Sequence, residues 1–142
     1  MAALSAARVQ IRQNDPILVS MKMGASKTIY QGGLVCVVTA TGLVEAASDT
    51  AAYPVVGVAM ETKTSGATGT YEISIAVTGV FNFAYGAANA TDALAAGVLV
   101  YVTDDQTVDI AGTTSNDMVA GRCVRVNSAS NVDVLLLNTC IS

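Results

Sequence analysis

From residue 34 onward the chain alternates between short runs of Val, Ile, Leu and Ala and short clusters of Gly, Asn, Asp, Ser and Thr. The clearest apolar runs are residues 34–39, 55–60, 71–78, 98–103, 119–126 and 132–137. They are rich in β-branched residues and short for helices, and Gly32-Gly33, Thr41-Gly42, Ser65-Gly66, Asp104-Asp105 and residues 127–131 supply turn chemistry between them. Many short strands at close spacing predict an all-β fold, a small barrel or sandwich. Residues 87–96 are the one place where a helical turn or two is expected, with Thr91 or Asp92 as the N-cap and Gly97 as the stop.

The pattern also repeats. At a fixed offset of 64, Gly33, Val35, Val37, Val38, Thr39, Val44 and Gly57 correspond to Gly97, Leu99, Tyr101, Val102, Thr103, Val108 and Gly121. After a small deletion, Tyr71-Glu72-Ile73 corresponds to Val132-Asp133-Val134. Constant spacing over so many positions predicts two related β-units that share a core.

Residues 1–30 read differently. Residues 16–23 fit a first strand of the body, whereas residues 1–15 lack a period that would fold them alone, which predicts an extended N-terminal arm on a single β-barrel domain of residues 16–142. The charge supports a contact role for this end. Residues 1–30 hold four basic side chains against Asp15, a net of +3, while the other three basic residues face ten carboxylates, a net of −7. Arg8 and Arg12, four apart, with Val9 and Ile11 between them, are the candidate contact residues toward a partner or a neighbouring subunit.

Composition narrows the function. The chain of 142 residues is one domain's length, with 52% hydrophobic, 5% aromatic and 13% charged residues. No apolar run reaches the ~20 residues of a membrane helix. The N-terminus lacks the basic start and apolar stretch of a signal peptide. Cys36, Cys123 and Cys140 are odd in number and far apart, so small buried hydrophobes in a reducing cytoplasm are expected rather than disulfides or a zinc site.

Histidine is absent, which removes the commonest general base and metal ligand. The adjacent pair Asp104-Asp105 sits between two apolar runs and is expected to be a solvated turn. The Asp spacing of a calcium loop is missing, and Gly66-Ala67-Thr68-Gly69 lacks the Lys of a phosphate loop. No basic stripe interleaved with aromatics points to nucleic acid, and Trp is absent. The expectation is a non-catalytic protein with no cofactor, metal or small-molecule substrate.

Residues 77–83, Val-Thr-Gly-Val-Phe-Asn-Phe, followed by 96–102, Ala-Gly-Val-Leu-Val-Tyr-Val, resemble the core signature of the phage capsid cement, or head decoration, family. Thr107-Val108-Asp109, residues 119–124 and residues 132–136 are similar to that family's later strands, so the resemblance spans roughly residues 34–137. It departs where the family strand continues with Pro and Lys and this chain has Asn82-Phe83-Ala84-Tyr85, and in a longer N-terminal stretch. The resemblance implies a small β-barrel made in the host cytoplasm that binds the major capsid protein on the outer surface of a virion. It also implies a homo-oligomer, commonly a trimer, and no catalytic residues. A receptor- or glycan-binding module of a phage tail or fibre is the alternative.

Overall fold

A computed structural model describes residues 3–7, 17–67, 71–86, 97–110, 114–128 and 130–136. Among these residues the fold is all-β, as the alternating pattern predicts. The helical turn expected at 87–96 lies outside the described residues. The first sheet holds β1 (Leu18–Lys22), β3 (Leu34–Val38), β4 (Leu43–Ala46), β5 (Val55–Ala59) and β7 (Glu72–Ala76), in the order β1-β7-β5-β3-β4. A closed barrel follows, built from β8 (Val80–Tyr85), β9 (Leu99–Val102), β10 (Thr107–Asp109), β11 (Val119–Ser128) and β12 (Asn131–Leu136). A short ribbon, β2 (Thr28–Ile29) with β6 (Lys63–Thr64), accompanies the first sheet.

The two assemblies are copies of one design. Around the barrel the order is β10-β8-β12-β11-β9, and the strands β1, β7, β5, β3 and β4 stand in the places of β8, β12, β11, β9 and β10. Their backbone hydrogen bonds recur pair by pair. Val77 N–H donates to Ile17 O at 2.9 Å, and Leu136 N–H to Gly79 O at 3.0 Å. Gly24 N–H donates to Val44 O at 2.9 Å, and Gly86 N–H to Val108 O at 3.0 Å. Val37 N–H reaches Pro54 O at 3.0 Å, and Val102 N–H reaches Met118 O at 2.8 Å.

The expected equivalence of Gly57 and Gly121 holds. A Cβ on Gly57 would collide with the Ala76 carbonyl and come within 2.7 Å of Ile75, and one on Gly121 would do the same to Leu135 and Val134. Both glycines are there because a neighbouring strand's backbone comes too close for a side chain.

Two expected pairings shift. The partner of Gly97 is Gly32 and not Gly33, because Gly32 N–H donates to Ala59 O as Gly97 N–H donates to Cys123 O, and both glycines have positive φ, 86° and 96°. The cause is the β9–β10 turn. Thr103 N–H closes on Thr107 O across three residues, whereas Val38 pairs Leu43 across four, so β3 matches β9 at an offset of 65. In the last strand Ile73 and Ile75, not Tyr71 and Ile73, stand where Val132 and Val134 do, as the equivalent bonds Met23 N–H to Tyr71 O and Tyr85 N–H to Ser130 O require.

The core is shared in one direction. Phe81, Phe83, Tyr85, Val100, Val102, Val108, Val132 and Val134 fill the closed barrel, and Leu34, Cys36, Val55, Val58 and Ala76 from the first sheet's outer face join them in the same cluster. Val35, Val44, Val56, Ile73, Ile75 and Met23 form a second cluster on the first sheet's concave side. Burial on both faces explains why β3 reads as an unbroken apolar run.

Candidate contact surface

Arg8, Val9, Ile11 and Arg12 lie outside the described residues. The described residues on either side of them are tied to the body. Leu4 N–H donates to Asp105 Oδ1 at 2.7 Å, and the Leu4 side chain lies over Gly33. Ile17 N–H donates to Thr78 Oγ1 at 3.0 Å. The expectation that Asp104-Asp105 is a solvated turn is therefore half wrong. Asp104 does act as a turn residue, its Oδ1 accepting Gln106 N–H at 3.0 Å, but Asp105 is only 2% exposed. Its carboxylate holds Leu4 and its carbonyl accepts Leu34 N–H at 2.7 Å, joining the N-terminal segment and both β-units at one point.

Strand β1 follows the predicted contact residues, and with Ile17 just before it forms the most apolar exposed stretch among the described residues. Ile17 is 61%, Leu18 53% and Val19 40% exposed. By the strand period Val19, Met21 and Met23 face the concave side, and Leu18, Ser20 and Lys22 face outward. Ser20 Oγ–H donates to Glu72 Oε1 at 3.0 Å across the pair with β7. An edge strand with this much apolar surface is a ready template for a partner, because natural edges are normally blunted by charge or covered.

Polar side chains that could have carried chemistry have structural duties. Asp133 on β12 is buried and accepts Arg125 Nη2 at 2.8 Å and Nε at 3.0 Å on one oxygen. Its other oxygen accepts the Asn82 and Asn127 amides at 3.0 Å each. Burial works to raise its pKa, but the two amide donors and the guanidinium outweigh it, so the carboxyl is held below its ordinary value. The network fastens β8, β12 and β11 together on the barrel's outer face. Asp49 is another fastener. It accepts Ser115 N–H at 2.6 Å and Asn116 N–H at 3.0 Å, and these donors hold its pKa down against the opposing effect of desolvation.

Cys36 and Cys123 are buried and unpaired, as small hydrophobes in the core. Burial, with Glu45 adding to it, pushes the Cys36 thiol up to about 11, and burial also raises Cys123. Both are protonated near neutrality and make poor nucleophiles. Cys140 lies outside the described residues. Among the described residues no three His, Cys, Asp or Glu side chains converge as metal ligands do, and no helix is long and apolar enough to cross a membrane.

Sequence reasoning missed Asp105 as an anchor and β1 as an exposed apolar surface. The second had a signal, the run Ile17-Leu18-Val19 beside the basic segment. The first had none, because a buried turn Asp and a solvated one read alike. No protein-family model matches the chain, and no curated protein matches it.

Proposed function

We propose that this chain is a structural protein of a phage virion that binds the outer surface of the capsid and stabilises it. The observation that carries the reading is the exposed apolar stretch Ile17-Leu18-Val19, which directly follows the segment holding Arg8, Val9, Ile11 and Arg12. An apolar edge next to a basic segment suits docking onto an acidic protein surface, and the major capsid protein is the proposed partner. The resemblance of residues 34–137 to the cement family agrees with this reading, as does the use of Asp49, Asp105, Asp133 and both buried thiols for packing and fastening rather than for chemistry.

The test is sedimentation with undecorated capsids. Saturable co-pelleting is expected, with weaker binding for the Arg8→Ala/Arg12→Ala variant and at raised salt, since exposed charges are screened over about 8–10 Å. Failure to pellet with capsids, or equal binding by the double variant at every salt concentration, contradicts the proposal.

A further inference from the structure

The two β-units differ most at the seam where the first strand meets the hairpin's outer strand. In the closed barrel this seam is zipped. Ala84 N–H donates to Gln106 O at 3.0 Å, and β8 runs parallel to β10 with Ala84 opposite Thr107 and Tyr85 opposite Val108. In the first unit the positions of Ala84 and Thr107 are taken by Lys22 and Leu43, which do not pair. Past the end of β1 the seam keeps the Met23–Val44 bridge and the bond from Gly24 N–H to Val44 O, but among the described residues it has no counterpart of the Ala84-to-Gln106 bond. Two long side chains stand where the closed barrel has an Ala and a Thr.

A cavity of about 540 Å³ opens at the parted seam. Met21, Val37, Val44 and Val56 line it, with Lys22 and Leu43 also on its wall. Met21 occupies the place of Phe83, and Val19 that of Phe81, the two rings that are fully buried in the closed barrel. The cavity wall thus carries the Met21 thioether where the closed barrel carries the buried ring of Phe83. Its size lies within the ~300–1,000 Å³ range of small-molecule pockets, and its walls are apolar.

Lys22 alternates to the outward face of β1 but still contributes to the cavity wall, so its exposed cation stands at the cavity's edge. It forms no ion pair among the described residues. Its cross-strand neighbour Glu72 accepts from Ser20 Oγ instead. The closed barrel has an alanine at this position, so the cation belongs to the open copy alone.

We propose that this cavity is a binding site for an amphiphilic anion, an apolar ring or chain with one anionic group set near Lys22. The inference stands apart from the capsid reading, since it rests only on the difference between the two units.

The probe is anilinonaphthalene sulfonate, titrated into the full chain and read by fluorescence, with dodecanoate as competitor. Saturable binding at one site per chain is expected, displaced by dodecanoate. Met21→Phe, which restores the ring of the closed barrel, should weaken binding at least about tenfold, and Lys22→Gln about three- to fivefold with a loss of salt dependence. Methyl NMR of the unmodified protein gives a readout that needs no variant. The Met21 ε-methyl and Leu43 δ-methyls should shift on adding dodecanoate. Absence of saturable binding, native affinity in a folded Met21→Phe variant, or unmoved Met21 and Leu43 methyls at saturating probe overturns the site. Unchanged affinity and salt dependence in Lys22→Gln overturns its preference for an anion.

Discussion

Strands β1 and β8 hold the same place in two copies of one architecture, yet they bury their inward side chains differently. In β8 inward and outward positions alternate cleanly, with Phe81, Phe83 and Tyr85 buried inside a closed barrel. In β1 the equivalents are Val19, Met21 and Met23, and only Met23 is buried. Both strands keep the same backbone pairing on one side, to β7 and to β12. Register and connectivity are therefore retained even when the packing that closes the barrel is lost. The closed barrel combines buried rings, Phe81 and Phe83, with the small seam residues Ala84 and Thr107, where the first unit has Val19, Met21, Lys22 and Leu43.

Paired substitutions can break this comparison. The largest expected effect is Phe83→Ala, which empties a fully enclosed site and should cost about 3–5 kcal/mol, whereas Met21→Ala, at a wall already open to water, should cost roughly 1 kcal/mol or less. Denaturant midpoints of the two variants measure the gap, and equal losses would mean that the two interiors are packed alike. Next come Gly57→Ala and Gly121→Ala, each forcing a methyl into a neighbouring carbonyl, with about 1–3 kcal/mol expected from either. Similar costs sharpen the equivalence of the two glycines, and a neutral effect at one of them would remove it.

Asp133 gives a smaller effect that belongs to the second unit alone. Its carboxyl is held below its unfolded value, so its contribution to stability is fully present above that value, about 3.9, and is lost as pH falls through the native one. Thermal melts of the native protein and Asp133→Asn should differ near neutrality by about 1–3 kcal/mol and converge in acid. A constant difference down to low pH would assign the loss to packing. The smallest effect is expected for Asp49→Ala, whose half-buried carboxylate anchors the 115–116 loop and whose loss should cost about 1 kcal/mol or less.

Most of the β-architecture was legible in the sequence, because strand interiors and turns use different residues and the two hairpins keep Val and Gly at matching positions. The kinship of β1 and β8 was not. Their offset is 62 rather than 64, and Val19, Met21 and Met23 share no side chain with Phe81, Phe83 and Tyr85. The slip from Gly32 to Gly33 has a similar origin. A one-residue difference in turn length is absorbed within a Gly-Gly pair that looks alike in either register. On the contact surface, the basic segment and the apolar run after it were visible as composition, but the buried carboxylate of Asp105 depends on Leu4, a hundred residues away, and no local pattern announces it.

Amide hydrogen exchange tests most directly the claim that these are two copies of one barrel, one zipped and one parted. Met23 and Tyr85 donate inward to Tyr71 O and Ser130 O at 2.8 and 2.9 Å and should both exchange slowly. One residue earlier the copies should diverge. The Ala84 amide, bonded to Gln106 O, should be protected, while the Lys22 amide, which faces the open seam, should exchange at close to the rate of an unstructured chain. Equal protection of Lys22 and Ala84 would show that the first barrel closes as the second does, and would contradict the account.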